Sequence, residues 1–167
     1  MELKKPLSNT ILKAVYTVSQ NINVPSLWLI QLINFETGGT WNPKLKSRVA
    51  TSTAKGLLQF NDAAAKDLGY SSSAELIKKF PTVESQLLGP VLARLKKLGP
   101  YKSKENFFMA NIQPAYRNTH PDVTFLDLHI KKYGAKKGII KYQKFSKANP
   151  GIHTIRDYVR MAESRFG

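Results

Sequence analysis

Residues 26–36 read Ser-Leu-Trp-Leu-Ile-Gln-Leu-Ile-Asn-Phe-Glu. Placed on a helical wheel, Leu27, Trp28, Leu29, Ile30, Leu32, Ile33 and Phe35 cover every side. A helix that is apolar all round has to be surrounded by other elements. This stretch therefore predicts a core helix with further helices packed about it. Pro25 suits its first turn, where a missing N–H does no harm. Gly38 and Gly39 suit the turn just past its C-terminus. The only strong polar groups in the stretch are Gln31, Asn34 and Glu36. Glu36 thus leaves the core at the helix's C-terminal end. Partial burial and the negative end of the helix dipole both disfavour its ionised form, so its pKa should rise. A carboxyl that keeps its proton near neutral pH can serve as a general acid, whereas a structural role would give it an ion pair or a cap.

The rest of the chain reads as more helices around one core. Ser8 or Asn9 can cap a first helix through about Gln20. Asn61 or Asp62 can cap "AAAKDLG", and Ser72 or Ser73 can cap "AELIKKF". "TVESQLLGPVLARLKKLG" has helical periodicity from a Thr82 cap to Gly99, with Pro90 predicting a kink or break inside it. "KENFFMANIQ", "DVTFLDLHIKKYG" and "TIRDYVRMAESRF" read as three more helices, the last opened by a Thr154–Asp157 capping pattern. Residues 40–60 read as loop, with a short strand near 57–60. The expectation is a mainly α chain of seven to nine helices, a single domain over residues 1–167.

Composition narrows the chemistry. The 167 residues contain no cysteine, which excludes a disulfide framework and thiolate catalysis. His120, His129 and His153 fit no metal-ligand spacing, so neither a metal nor a cofactor is expected. No apolar run reaches the roughly 18 residues that a membrane span needs. The N-terminal stretch, broken by Pro6, Ser8, Asn9, Thr10 and Lys13, reads as no signal peptide. The formal charge is +15 and uneven: net +4 over residues 1–90 against net +11 over residues 91–167. Such a field attracts polyanions, and nucleic acid, anionic membrane and bacterial envelope all qualify. Solvated helix faces are the plain alternative.

After Glu36 come Gly39, Asn42 and Pro43, then a Ser/Thr-rich loop, then Ala54, Gly56, Leu57, Leu58 and Gln59. This order and spacing resembles the lysozyme-like lytic transglycosylases, the superfamily that includes goose-type lysozymes. Phage-encoded members look most similar. The apolar stretch "NFFMANIQPAY" is a weaker third match, and the likeness spans roughly residues 10–120. It implies a mainly α, lysozyme-like α+β domain, monomeric, with a substrate cleft and a small β or loop lobe. It implies peptidoglycan glycan strands as substrate, specifically the β-1,4 bond between N-acetylmuramic acid and N-acetylglucosamine. On the family pattern Glu36 falls on the catalytic acid and Gln59 on the cleft-lining glutamine. Gly56 falls where backbone passes close to the acid and the sugar. Ser52 stands for the serine that contacts the carboxyl, with Thr51 and Thr53 as alternatives. Asn111 matches the asparagine of an Ala-Tyr-Asn element whose tyrosine is missing, and Tyr116 could supply that ring.

Goose-type lysozymes carry an aspartate two positions after the motif glutamine. Here that position is Asn61, and Asp62 is one step late. The loop from Glu36 to Gly56 holds no other acid. A site with one carboxylate suits a transglycosylase, which forms 1,6-anhydromuropeptides, and Asp62 assisting a water is the hydrolytic alternative. The resemblance implies action at the bacterial wall, reached through phage lysis or a virion tail, with the basic C-terminal half engaging the anionic envelope. A basic nucleic-acid-binding protein or a structural virion protein is the rival class, but no specific nucleic-acid motif is present.

Overall fold

The computed structural model describes residues 6–164. The chain is mainly helical and almost without strands. It divides into two compact units, one running to Tyr101 and the other covering Lys102–Ser164.

The first unit carries α1 (Asn9–Ile22), α2 (Ser26–Thr37), α3 (Asp62–Asp67), α4 (Ser73–Lys79), α5 (Val83–Gln86) and α6 (Leu92–Leu98). Its caps follow short polar side chains. Ser8, Asn61, Ser72 and Thr82 accept from backbone N–H groups at the starts of α1, α3, α4 and α5. Pro25 sits one position earlier than the sequence suggests, as the N-cap of α2. Pro90 does not break its helix. It lies in a π-helical turn, Leu87–Val91, that joins α5 to α6. Proline lacks an N–H and crowds the preceding turn, and a wider turn accommodates both. The core here is built from Val15 and Val18 of α1, Leu29, Leu32 and Ile33 of α2, and Leu87, Val91 and Leu95. The expectation that α2 is buried on all sides is only partly met. Leu29, Leu32, Ile33, Asn34 and Thr37 form a buried stripe, while Leu27 is 50% exposed.

Between α2 and α3 the chain forms no extended strand. Two isolated antiparallel bridges, Lys46 with Lys55 and Lys55 with Phe60, tie the loop together. Residues 57–59 lie in a tight turn between Lys55 and Phe60 rather than in the strand read there. Gly56 at φ +77° and Gln59 at φ +46° are both left-handed, a conformation that extended strand excludes.

The second unit carries α7 (Lys104–Ile112), a 3₁₀ turn (Pro114–Tyr116), α8 (Phe125–Tyr133), α9 (Ala135–Ala148) and α10 (Ile155–Ser164). Thr154 and Asp157 form the capping box read from the sequence: Asp157 N–H donates to the threonine hydroxyl at 3.1 Å, and Thr154 N–H to the carboxylate at 2.9 Å. The end of that stretch, Arg165–Phe166, lies outside the described residues. Helix α9 was not among the predicted elements, and with it the described residues hold ten α-helices rather than seven to nine. Gly134 and Gly138 and a run of lysines mask its pattern. Gly138 is the reason it packs: a Cβ there would lie 2.6 Å from Cα of Ile130 and 2.7 Å from the carbonyl oxygen of His129, so α8 and α9 meet backbone to backbone.

Candidate functional site

The site is built on the last turn of α2. Leu29, Leu32 and Ile33 point into the core. Glu36 stands seven positions after Leu29 and three after Ile33, so helical periodicity carries it onto the same inward face. The helix then stops at once. Gly38 adopts φ +61°, its N–H donates to the carbonyl of Phe35 at 3.5 Å, and Gly39 N–H donates to that of Asn34 at 2.8 Å. This reciprocal pair is a Schellman cap, and it turns the chain away so that Glu36 is left at an opening.

The opening is a groove of about 530 Å³ lined by Glu36, Thr40, Leu45, Lys46, Arg48 and Gln59, among others. Glu36 is half-buried. Protein atoms crowd the carboxyl from the sides while one side stays open to the groove. Among the described residues no hydrogen bond or ion pair reaches it, and desolvation pushes its pKa from the ordinary 4.5 up to about 8. Burial is the cause; the cap has already supplied donors to the carbonyls of Asn34 and Phe35, which tempers the negative helix end. Lys46 and Arg48 line the groove without pairing with Glu36. At neutral pH the group is therefore a proton donor facing solvent-accessible space.

Gln59 shares that groove. Its Nε2 donates to the carbonyl of Gly56 at 3.0 Å and to that of Leu45 at 3.4 Å. These bonds fix the amide and leave Oε1 as its remaining polar atom. Gly56 lies beneath this turn. A Cβ there would meet Ile77 Cδ1 at 2.5 Å and Gln86 Oε1 at 2.7 Å, so its close approach is to the unit's core and not to Glu36.

Of the other residues that the sequence singles out in the first unit, Ser52 and Asp62 are not among those lining the groove. Ser52 is exposed, and its hydroxyl accepts from Ala54 N–H at 3.2 Å. The Thr53 hydroxyl accepts from Asp62 N–H at 3.0 Å. Asp62 accepts from Ser73 N–H at 2.9 Å, at the start of α4, and that hydrogen bond is the first cause holding its carboxyl below the ordinary range. Among the described residues Glu36 is thus the single carboxylic residue lining the groove. Asn111 and Tyr116 belong to the second unit. Asn111 Nδ2 donates to the carbonyl of Phe107 at 2.8 Å, and the Tyr116 ring lies edge-on to Phe125 with centroids 6.3 Å apart. Among the described residues no three His, Asp or Glu side chains converge on a point that could hold a metal.

Two buried amides shape the site and went unassigned in the sequence. Asn34 accepts from Trp41 Nε1 at 2.6 Å, pinning the loop after α2 back onto the helix. Trp41 is buried and held at φ +51°, a costly conformation for a bulky residue. Gln86 is fully buried. Its Nε2 donates to the carbonyls of Pro43 at 2.6 Å and Phe80 at 3.0 Å, and its Oε1 accepts from Leu57 N–H at 3.0 Å. It clamps the loops on either side of the groove. The visible signal was a polar residue on the apolar face of a helix, at Asn34 and Gln86 alike. Searched against models of known protein families and against curated proteins, the sequence finds no match in either.

Proposed function

We propose that this protein is a peptidoglycan lytic transglycosylase that uses Glu36 first as acid and then as base. One observation carries the reading: among the described residues, a carboxyl protonated up to about pH 8 and without a polar partner opens into a groove that it shares with Gln59 and with no other acid. The lysozyme-like motif at Glu36 and Gly56–Gln59 supplies the substrate class. Glu36 gives its proton to the glycosidic oxygen as the bond to the muramyl C1 breaks. The substrate's own acetamido oxygen stabilises the positive charge at C1. The Glu36 carboxylate then takes the proton of the muramyl 6-hydroxyl, and the O6–C1 bond closes the 1,6-anhydro ring. The proton count returns to its start, so the cycle needs no second carboxylate.

Gln59, with its amide fixed by two carbonyls, presents an acceptor to the strand. Gln59, which lines the groove, and Trp41, the residue after groove-lining Thr40, are both left-handed, and strain of this kind collects where a site is held ready. Asp62 is already engaged at α4, which weighs against its assisting a water. The wall of a bacterium is the place of action, and the excess of cations supports attachment to its anionic envelope.

The test is product mass. Purified sacculi digested by the protein should give fragments one water lighter than hydrolysed ones and without a reducing end. Glu36→Gln should release none. Reducing fragments of full mass would assign a lysozyme instead, and an active Glu36→Gln would remove both readings.

A further inference from the structure

We infer that the outer face of α9 is a docking surface for an anionic lipid bilayer. From Lys131 to Ala148 the chain carries seven lysines and no acid: Lys131, Lys132, Lys136, Lys137, Lys141, Lys144 and Lys147. None forms an ion pair among the described residues. Helix α9 packs inward through Gly138, Tyr142 and Phe145, the last with its ring centroid 4.5 Å from that of Phe125. Opposite that seam lies Ile140, 49% exposed, with Ile139 beside it at 43%. Lys136 and Lys137 precede Ile140 by four and three positions, and Lys144 follows by four, so helical spacing places all three around it.

The mixture selects the partner. A hydrophilic polyanion, such as nucleic acid or a wall polymer, satisfies lysines but offers nothing to two exposed isoleucines. An anionic bilayer satisfies both, with headgroups for the ammonium groups and the acyl boundary for the isoleucines. The lysine stems can lie along that boundary with their charges in the headgroup layer. Among the described residues no helix is long and apolar enough to cross a membrane, so this contact is peripheral. The inference does not depend on the glycan chemistry.

The chain has no cysteine, so Ile140→Cys carrying an environment-sensitive fluorophore gives a unique reporter in the full-length protein. With vesicles of phosphatidylglycerol and phosphatidylcholine its emission should rise and shift to the blue. With phosphatidylcholine alone it should not change. Each lysine near such a surface contributes about fivefold to partitioning, so Lys136→Gln, Lys137→Gln and Lys144→Gln together should weaken co-sedimentation about 100-fold. Ile139→Gln with Ile140→Gln, at unchanged charge, should weaken it about tenfold or more. Unchanged binding by the isoleucine pair, or equal binding to duplex DNA with the fluorophore still in water, would overturn the bilayer and assign a general polyanion site.

Discussion

Replacing Glu36 with glutamine should make the fold more stable at alkaline pH while leaving it almost unchanged in acid. Folded, the Glu36 carboxyl keeps its proton up to about pH 8, and unfolded it releases that proton near pH 4.5. Between those values the unfolded chain binds fewer protons than the folded one, so stability falls as pH rises through the window. The fall is complete once pH passes the folded value. At 1.36 kcal/mol per pH unit the full displacement corresponds to about 5 kcal/mol. Solvent in the groove reaches this half-buried group, so we set the loss between pH 5 and pH 9 at about 2–4 kcal/mol. Glutamine has nearly the same shape and does not ionise. Urea melts of both proteins at pH 5, 7 and 9 isolate the effect, because all other titrations cancel in the difference. The variant should match wild type at pH 5 to within about 1 kcal/mol and exceed it at pH 9 by the stated amount. A difference that stays flat with pH, or grows toward acid, would refute the burial argument whatever the protein's activity.

Further expectations concern the groove itself. Activity on sacculi should decline above about pH 8 as Glu36 ionises, with no matching acid limb from a second carboxylate; a bell centred in mild acid would contradict this. Glu36→Gln should lower turnover by at least about 10²–10⁴-fold, since one group serves both proton transfers. Gln59→Ala should lower turnover with a melting temperature near wild type, and Asp62→Asn should be far milder in activity because the amide oxygen can still accept from Ser73 N–H; a dead Asp62→Asn releasing reducing products would move the chemistry to hydrolysis. Gln86→Leu strands Leu57 N–H and the carbonyls of Pro43 and Phe80, and should cost about 3 kcal/mol or more in urea melts. Gly56→Ala combines a left-handed backbone with a contact on Ile77 and should destabilise by about 2 kcal/mol, read the same way.

What could be read from the sequence was local. The caps at Ser8, Asn61, Ser72 and Thr82, the glycine stop after α2 and the capping box at Thr154 all depend on neighbours a few positions away. That Glu36 ends an apolar helix was legible for the same reason, but its helical phase with Leu29 and Ile33 was not, because the linear pattern is apolar on every side of the wheel. Less legible were features set by distant partners. The π-helical turn at Pro90 depends on how α5 and α6 continue each other, and nothing in a linear pattern distinguishes it from a kink. Helix α9 hides because its packing rests on a glycine, which propensity counts against a helix. The side of Gly56 that is crowded could not be known without Ile77 and Gln86. Ser52 and Asp62 were chosen by spacing along the loop, and the bridges at Lys46, Lys55 and Phe60 decide where that loop's side chains go.

The Gln86 clamp has a consequence for how the site comes into being. Glu36 and the loop pinned by Trp41 arise within one short span of chain. Leu57 and Pro43 wait for a side chain 29 and 43 residues further on. A nascent chain that has emerged only through α4 holds the acid-bearing helix and the Lys46–Lys55 bridge between the two loops, but lacks the buried amide that anchors Pro43 and Leu57 to α5. The segment from α2 to α3 is therefore not a self-contained cassette. Grafted onto another scaffold without α5, it would carry the glutamate and leave Leu57 N–H and the Pro43 carbonyl without their partner.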